Sequence, residues 1–217
     1  MTQRCALFDF DGTLFDSMYV WDDVGELFLR WQGKEPKPSM RENVSTMSLH
    51  QCACFFQKEY SLSMSPEAIM ASFTEIVARR YAEEIQPKPG AVTLLEMLRQ
   101  RGIGIGIVTA SERSLVEAAL QRCGMINLID AIFTCSELGC GKDRPDIFRR
   151  AMEYFAADRS STLVFEDALH ALITAKADGF TVAAVFDRHE LQQEALQSSS
   201  DFYLSDLSQF EVSHFFT

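Results

Sequence analysis

The sequence predicts an α/β fold, a doubly wound parallel sheet interrupted near its start by an inserted helical lobe. Three observations carry that expectation. The chain opens on a short apolar run that ends in carboxylates. From about residue 88 onward, strand-length apolar runs alternate with stretches of helical spacing. Between these regions lies a segment with helical spacing throughout and no strand-like run. A βαβα order requires parallel strands covered by helices on both faces.

Taken in order, residues 4–10 (Arg-Cys-Ala-Leu-Phe-Asp-Phe) read as a buried parallel strand that delivers polar groups at its C-terminal end. Helical spacing follows over 18–32, 46–60 and 66–84, a region rich in Met, Phe, Gln, Glu and Ala. The clusters Lys34-Glu-Pro-Lys-Pro-Ser39 and Ser61-Leu-Ser-Met-Ser-Pro66 separate these helices. Residues 18–85 therefore form the inserted lobe, entered near 17–19 and left near 85–89, and 1–17 with 86–217 form the core. In that core, 91–101 is a helix stopped by Gly102, 103–109 a strand, and 112–123 a helix ending before Gly124. Residues 130–134 read as a strand, 145–157 as a helix opened by Pro145, and 161–165 as a strand. A helix over 168–178 closed by Gly179, a strand over 181–186, and an edge strand with a closing turn from Asp201 complete the pattern.

Composition narrows the function. The 217 residues suffice for one full core and a smaller lobe. A hydrophobic share of 47% with 24% charged residues excludes a disordered chain. No apolar run approaches the ~20 residues that span a bilayer, and the start lacks a signal-peptide layout, so the expected location is the cytoplasm and no membrane partner is expected. The net charge of -11 repels a phosphate backbone and argues against nucleic acid. An anionic substrate would then need locally placed cations. The six cysteines (5, 52, 54, 123, 135, 140) are expected to be reduced thiols. Cys52 and Cys54 near His50 do not have zinc-ligand spacing. Gly102, Gly104 and Gly106 do not complete a dinucleotide loop, and Gly139-Cys140-Gly141-Lys142 lacks P-loop spacing. His50, His170, His189 and His214 share no spacing and read as surface or lobe residues.

The string Asp9-Phe10-Asp11-Gly12-Thr13 carries the chemistry. On an extended strand Asp9 and Asp11 point to the same side. Two such carboxylates repel each other unless a cation lies between them or one is protonated. The C-terminal edge of an open parallel sheet is where α/β folds bind ligands. Gly12 permits a sharp turn and Thr13 can hydrogen-bond to hold it.

Asp9-Phe-Asp-Gly-Thr-Leu-Phe-Asp16-Ser17 resembles the first motif of the haloacid dehalogenase-like hydrolase superfamily. Three later strings resemble the remaining motifs, in order. Ile107-Val108-Thr109 ends a strand in a hydroxyl; Gly141-Lys142-Asp143-Arg144-Pro145-Asp146-Ile147-Phe148 resembles K-P-x-P-D-x-F; and Val164-Phe165-Glu166-Asp167 ends a strand in two acids. Two details depart from the family pattern. Asp143 stands where a Pro follows the Lys, and Ala168-Leu169-His170-Ala171-Leu172 stands where Ser-x-x-Gly follows the acids.

The resemblance implies a Rossmann-like core with a helical cap, and a Mg2+-dependent phosphomonoester hydrolase acting on a small, sugar-phosphate-like metabolite. It implies that Asp9 attacks phosphorus and forms an aspartyl-phosphate. Asp11 would protonate the leaving oxygen and later activate water. Thr109, Ala110 and Lys142 would hold the phosphate. Asp9, the Asp11 backbone carbonyl and Asp167 would bind Mg2+, with Glu166 holding a water on the ion. Ser17, Trp21, Asp22 and Arg41 are the candidate specificity contacts from the cap. Two alternatives stay open: a β-phosphoglucomutase-like sugar phosphomutase, and a catalytically idle relative kept for binding or regulation. The expected assembly is a monomer or weak homodimer.

Overall fold

The computed structural model describes residues 3–44 and 47–216. In chain order the elements are β1 (Gln3–Phe8), β2 (Phe15–Asp16), α1 (Met18–Trp31), α2 (Met40–Val44), α3 (Leu49–Glu59), α4 (Pro66–Glu83), β3 (Gln86–Pro87), α5 (Ala91–Gln100) and β4 (Gly104–Thr109). There follow α6 (Arg113–Arg122), β5 (Ala131–Thr134), α7 (Cys135–Leu138), α8 (Asp146–Tyr154), β6 (Ala157–Glu166), α9 (Leu169–Ala177), β7 (Thr181–Val185), α10 (Gln193–Ser199) and β8 (Phe202–Leu204).

Six strands form one sheet in the order β5-β4-β1-β6-β7-β8, with every neighbouring pair parallel. The first strand therefore lies inside the sheet rather than at its edge. Its composition explains this: Cys5, Ala6, Leu7 and Phe8 are all fully buried, and only a strand covered on both faces can bury four successive apolar side chains. Phe8 lies opposite Ile107 on one side and Phe165 on the other, so the strand ends that carry the candidate residues fall level. The chain order reverses direction on either side of β1, which makes this the switch point of the sheet.

The glycines of β4 serve packing. A Cβ on Gly104 would lie 2.5 Å from the Phe155 ring, and one on Gly106 would lie 2.9 Å from it. The absence of side chains there admits that ring against the sheet.

Chain packing divides into two compact units, one comprising residues up to Ser17 and from Ile85 onward, the other Met18–Glu84. The helical unit has its own aromatic centre. Phe28 and Phe73 meet edge to face at 5.0 Å, and Phe56 and Phe73 do so at 5.3 Å. Its helices begin where the sequence supplies caps. Ser48 and Gln51 form a reciprocal capping box ahead of α3, and Ser65 caps α4 with Pro66 in its first turn.

Several boundaries differ from expectation. β1 stops at Phe8, two residues early, because Leu14 and Phe15 both donate to the Phe10 carbonyl and turn the chain. β6 begins at Ala157, ahead of the expected 161, because Ala157 already pairs with Gln3 of β1, and the polar residues 158–161 fill the register shift before Thr162 meets Cys5. α8 ends at Tyr154, short of 157, where Ala156 adopts a left-handed φ of 49°. α3 starts at Leu49, and the expected start at residue 46 lies outside the described residues. The helices α2, α7 and α10 were not expected. Nor was the two-residue antiparallel ribbon of β2 and β3, which pairs Phe15 with Pro87 and Asp16 with Gln86 at the two ends of the insertion. No described helix is long and apolar enough to cross a membrane.

Candidate active site

Asp9 is the first residue beyond β1, and its backbone N–H donates to the Phe165 carbonyl at 2.9 Å, which keeps it level with the end of β6. Its carboxylate is 7% exposed. The Lys142 ammonium donates to Asp9 Oδ1 and, at 2.9 Å, to Glu166 Oε2. Asp167 Oδ1 accepts from the Thr13 hydroxyl at 2.8 Å. Asp9, Glu166 and Asp167 each offer a carboxylate oxygen within 4.8 Å of the others.

This arrangement sets the electrostatics. Burial pushes the Asp9 carboxyl up to about 6, even though Lys142 pulls it down. Burial, reinforced by the Asp9 and Glu166 charges, holds Asp167 well above the usual carboxylate range. For Lys142 burial acts in the opposite sense, but Asp9 and Glu166 outweigh it and raise its affinity for the proton. Among the described residues three buried acids thus face one ammonium, and Asp9 and Asp167 relieve the imbalance by holding protons more tightly. A second cation would relieve it more fully. Hard carboxylate oxygens this close together are donors that Mg2+ accepts, so the residues present fit the ion that the family resemblance implies.

Gly12 makes the closeness possible. It adopts a φ of +80°, and a Cβ there would lie 2.2 Å from Asp167 Oδ2. We expect Gly12→Ala to lower the melting temperature by several degrees, since a non-glycine left-handed residue alone costs about 1–2 kcal/mol. It should also shrink the melting shift produced by Mg2+, because Asp167 must move. An unchanged melting curve and an unchanged Mg2+ response would show that the loop relaxes freely.

Asp11 departs from the simple strand picture. The chain has already turned, and its carboxylate accepts from the Ser17 hydroxyl at 2.6 Å and from the Ser111 hydroxyl. It is not in the three-carboxylate group, and the cation contact expected of it runs through its backbone carbonyl. Thr109 is fully buried at the end of β4, and its Oγ1 accepts the Ser111 N–H at 3.0 Å. Ala110 is exposed between them.

Ser111 was missed by sequence reasoning. The available signal was a second hydroxyl two residues beyond Thr109, which has no meaning until β4 is laid beside β1. Ser17 was expected as a specificity contact, but the structure gives its hydroxyl to Asp11 inside the core unit.

Trp21, Asp22 and Arg41 belong to the helical unit. Trp21 Nε1 donates to the Tyr81 hydroxyl at 3.1 Å, and Arg41 pairs with Asp23 at 2.8 Å and Glu26 at 3.1 Å. All three line a cavity of about 650 Å³ within that unit, together with Met40, Leu49 and Phe56. His189, expected at the surface, is instead largely covered. Its Nδ1 lies 2.7 Å from Asp187, which is 3% exposed and also pairs with Lys88 at 2.7 Å.

Comparison with known proteins agrees with this geometry. The haloacid dehalogenase-like hydrolase family matches residues 3–179. The chain is 26% identical to the validoxylamine A 7'-phosphate phosphatase of Streptomyces hygroscopicus subsp. limoneus, over 97% of both chains. It is 28% identical to a probable pseudouridine-5'-phosphatase of Drosophila melanogaster, over 97% of this chain and 92% of that one. In fold it resembles a putative beta-phosphoglucomutase from Thermotoga maritima, with a TM-score of 0.84, 18% identity and 95% of each chain covered. The family match takes in Asp9, Thr109, Lys142, Glu166 and Asp167, and the chain belongs to the haloacid dehalogenase-like hydrolases.

Proposed function

We propose that the chain is a Mg2+-dependent phosphatase that removes phosphate from a small, sugar-phosphate-like metabolite with Asp9 as its nucleophile. The observation that carries this reading is the buried Asp9 carboxylate, bound by Lys142 through Oδ1 and grouped with Glu166 and Asp167. The naming of both sequence relatives as phosphatases supports the same class.

Asp9 attacks phosphorus and the ester oxygen leaves with a proton from Asp11, giving the alcohol and an aspartyl-phosphate. Asp11, now ionised, takes a proton from water as that water attacks phosphorus, and Asp9 is released with inorganic phosphate. The sum is ester plus water to alcohol plus phosphate. The hydroxyls of Ser17 and Ser111 hold the Asp11 carboxylate in place between these two tasks. Lys142, Thr109 and the backbone N–H of Ala110 hold the phosphoryl oxygens that do not transfer. Glu166 fixes the Lys142 ammonium from the other side. Mg2+, held by Asp9, the Asp11 carbonyl and Asp167, would supply positive charge that lets an anionic phosphate approach a carboxylate. Substrate selection falls to the helical unit as a cap.

The test is phosphate release from a panel of phosphorylated metabolites with Mg2+ or with EDTA. Release that requires Mg2+ is expected, with turnover greatest for a sugar-phosphate-like compound. No release from any compound, but interconversion of hexose monophosphates when a bisphosphate is added, would replace hydrolysis with phosphomutase chemistry. Failure of both assays would favour a binding or regulatory protein.

A further inference from the structure

The loop that delivers Lys142 carries two cysteines that the proposed chemistry does not use. Thr134 caps α7, a single turn of helix that ends on Gly139 in the left-handed conformation with φ of 66°. The N–H groups of both Gly139 and Cys140 donate to the Cys135 carbonyl, the latter at 3.2 Å. That six-to-one closure is a helix ending that frequently sets the side chains of its first and sixth residues against each other. Those two residues are Cys135 and Cys140. Both are free thiols, both are partly exposed, and both pack against the same apolar cluster. Cys140 stands two residues before Lys142 and is flanked by Gly139 and Gly141. The residue after Lys142 is Asp143, not a Pro, so nothing in the sequence there fixes φ.

We propose that Cys135 and Cys140 form a peroxide-sensitive thiol pair whose disulfide displaces Lys142 and turns the enzyme down. The chemistry balances with hydrogen peroxide as the oxidant. The Cys140 thiolate attacks the O–O bond and becomes a sulfenic acid, releasing hydroxide that takes up a proton to form water. The Cys135 thiolate then attacks the Cys140 sulfur and expels a second hydroxide, also protonated to water. Two thiols and one peroxide give one disulfide and two waters. Burial pushes the Cys135 thiol up, so Cys140 takes the first step.

A disulfide between Cys135 and Cys140 needs the sulfurs at ~2.05 Å with a defined torsion. The glycines on either side of Cys140 let the turn comply, and Lys142 moves with it. Its ammonium must meet Asp9 and Glu166 at hydrogen-bond distance, and a misplacement of about 1 Å in such a group costs on the order of 10²-fold.

The experiment treats the reduced full-length protein with hydrogen peroxide and maps its peptides by mass. It follows Mg2+-dependent phosphate release and the Mg2+-dependent melting shift in the same samples. We expect a Cys135–Cys140 crosslink, turnover about 10-fold lower or less, and full recovery with dithiothreitol. Cys135→Ser and Cys140→Ser should each keep their turnover under peroxide. The activity arm rests on the phosphatase reading, but the crosslink does not. If the reduced protein releases no phosphate from any compound, that reading fails and the Mg2+ melting shift becomes the deciding signal, expected to shrink on oxidation. Absence of the crosslink, a crosslink that alters neither turnover nor the melting shift, or equal loss of activity in both Ser variants would each overturn the proposal.

Discussion

Asp9→Asn is expected to abolish phosphate release, lowering turnover by about 10⁴-fold or more, while the protein remains folded. The amide is nearly isosteric and its oxygen can still accept from Lys142, so the packing of the site survives. What disappears is the carboxylate oxygen that the proposed mechanism joins to phosphorus. Stability should move in the opposite direction. The folded-state pKa of Asp9 is raised to about 6 from an ordinary value of 3.8, chiefly by burial. The folded protein therefore binds that proton more tightly than the unfolded chain, and stability falls as pH rises from about 4 through about 6. With EDTA present at pH 8, Asp9→Asn should melt at or above the wild-type temperature, and the difference should narrow at pH 5, where wild-type Asp9 regains its proton. A variant that still releases phosphate at a tenth of the wild-type rate would remove Asp9 from the nucleophile role.

The residues behind that prediction were legible because the chemistry ties particular side chains to particular strand ends. Asp9, Lys142 and Asp167 each lie in a short string whose spacing has meaning within the string, and the sheet register then brings the strings of Asp9 and Asp167 level. Ser111 had no such string. Its partner Asp11 is 100 positions away, and the contact exists only because β4 pairs with β1. The same reason hid the partners of Asp187, since Lys88 meets it from the far side of the sequence. The ribbon of β2 and β3 escaped for a different reason: two-residue strands are too short to show any alternation. The turn of Cys135 and Cys140 is local, yet it depends on one left-handed glycine and two backbone bonds to the Cys135 carbonyl rather than on a periodic pattern. Gly104 and Gly106 fall inside the strand expected over 103–109, but their purpose required the Phe155 ring, about 50 residues later, to be in view.

Lys142→Met tests the charge balance from the other side. The substitution keeps an unbranched chain of similar length in a position that is 7% exposed and removes the one ammonium that faces Asp9 and Glu166. Removing one partner of a buried ion pair costs about 3–5 kcal/mol, because the remaining charge is left without compensation. Here Asp9 and Asp167, whose carboxyls burial already pushes up, can escape by taking up protons. Their affinity for protons rises further in the variant, so its stability must fall as pH increases. In EDTA the melting deficit should accordingly be large at pH 8 and much smaller at pH 5. Mg2+ can supply the missing positive charge, and a more negative site binds it more tightly, so the ion should raise the variant's melting temperature more than it raises that of the wild type. Turnover should still fall by about 10²–10³-fold, because the ion does not replace the donor that the proposed mechanism aims at the phosphoryl oxygens. Differential scanning fluorimetry at the two pH values, with EDTA or with Mg2+, separates these expectations. A deficit that is equal at pH 5 and pH 8 and indifferent to Mg2+ would mean that Lys142 contributes packing alone, and the charge argument for Asp9, Glu166 and Asp167 would fail with it.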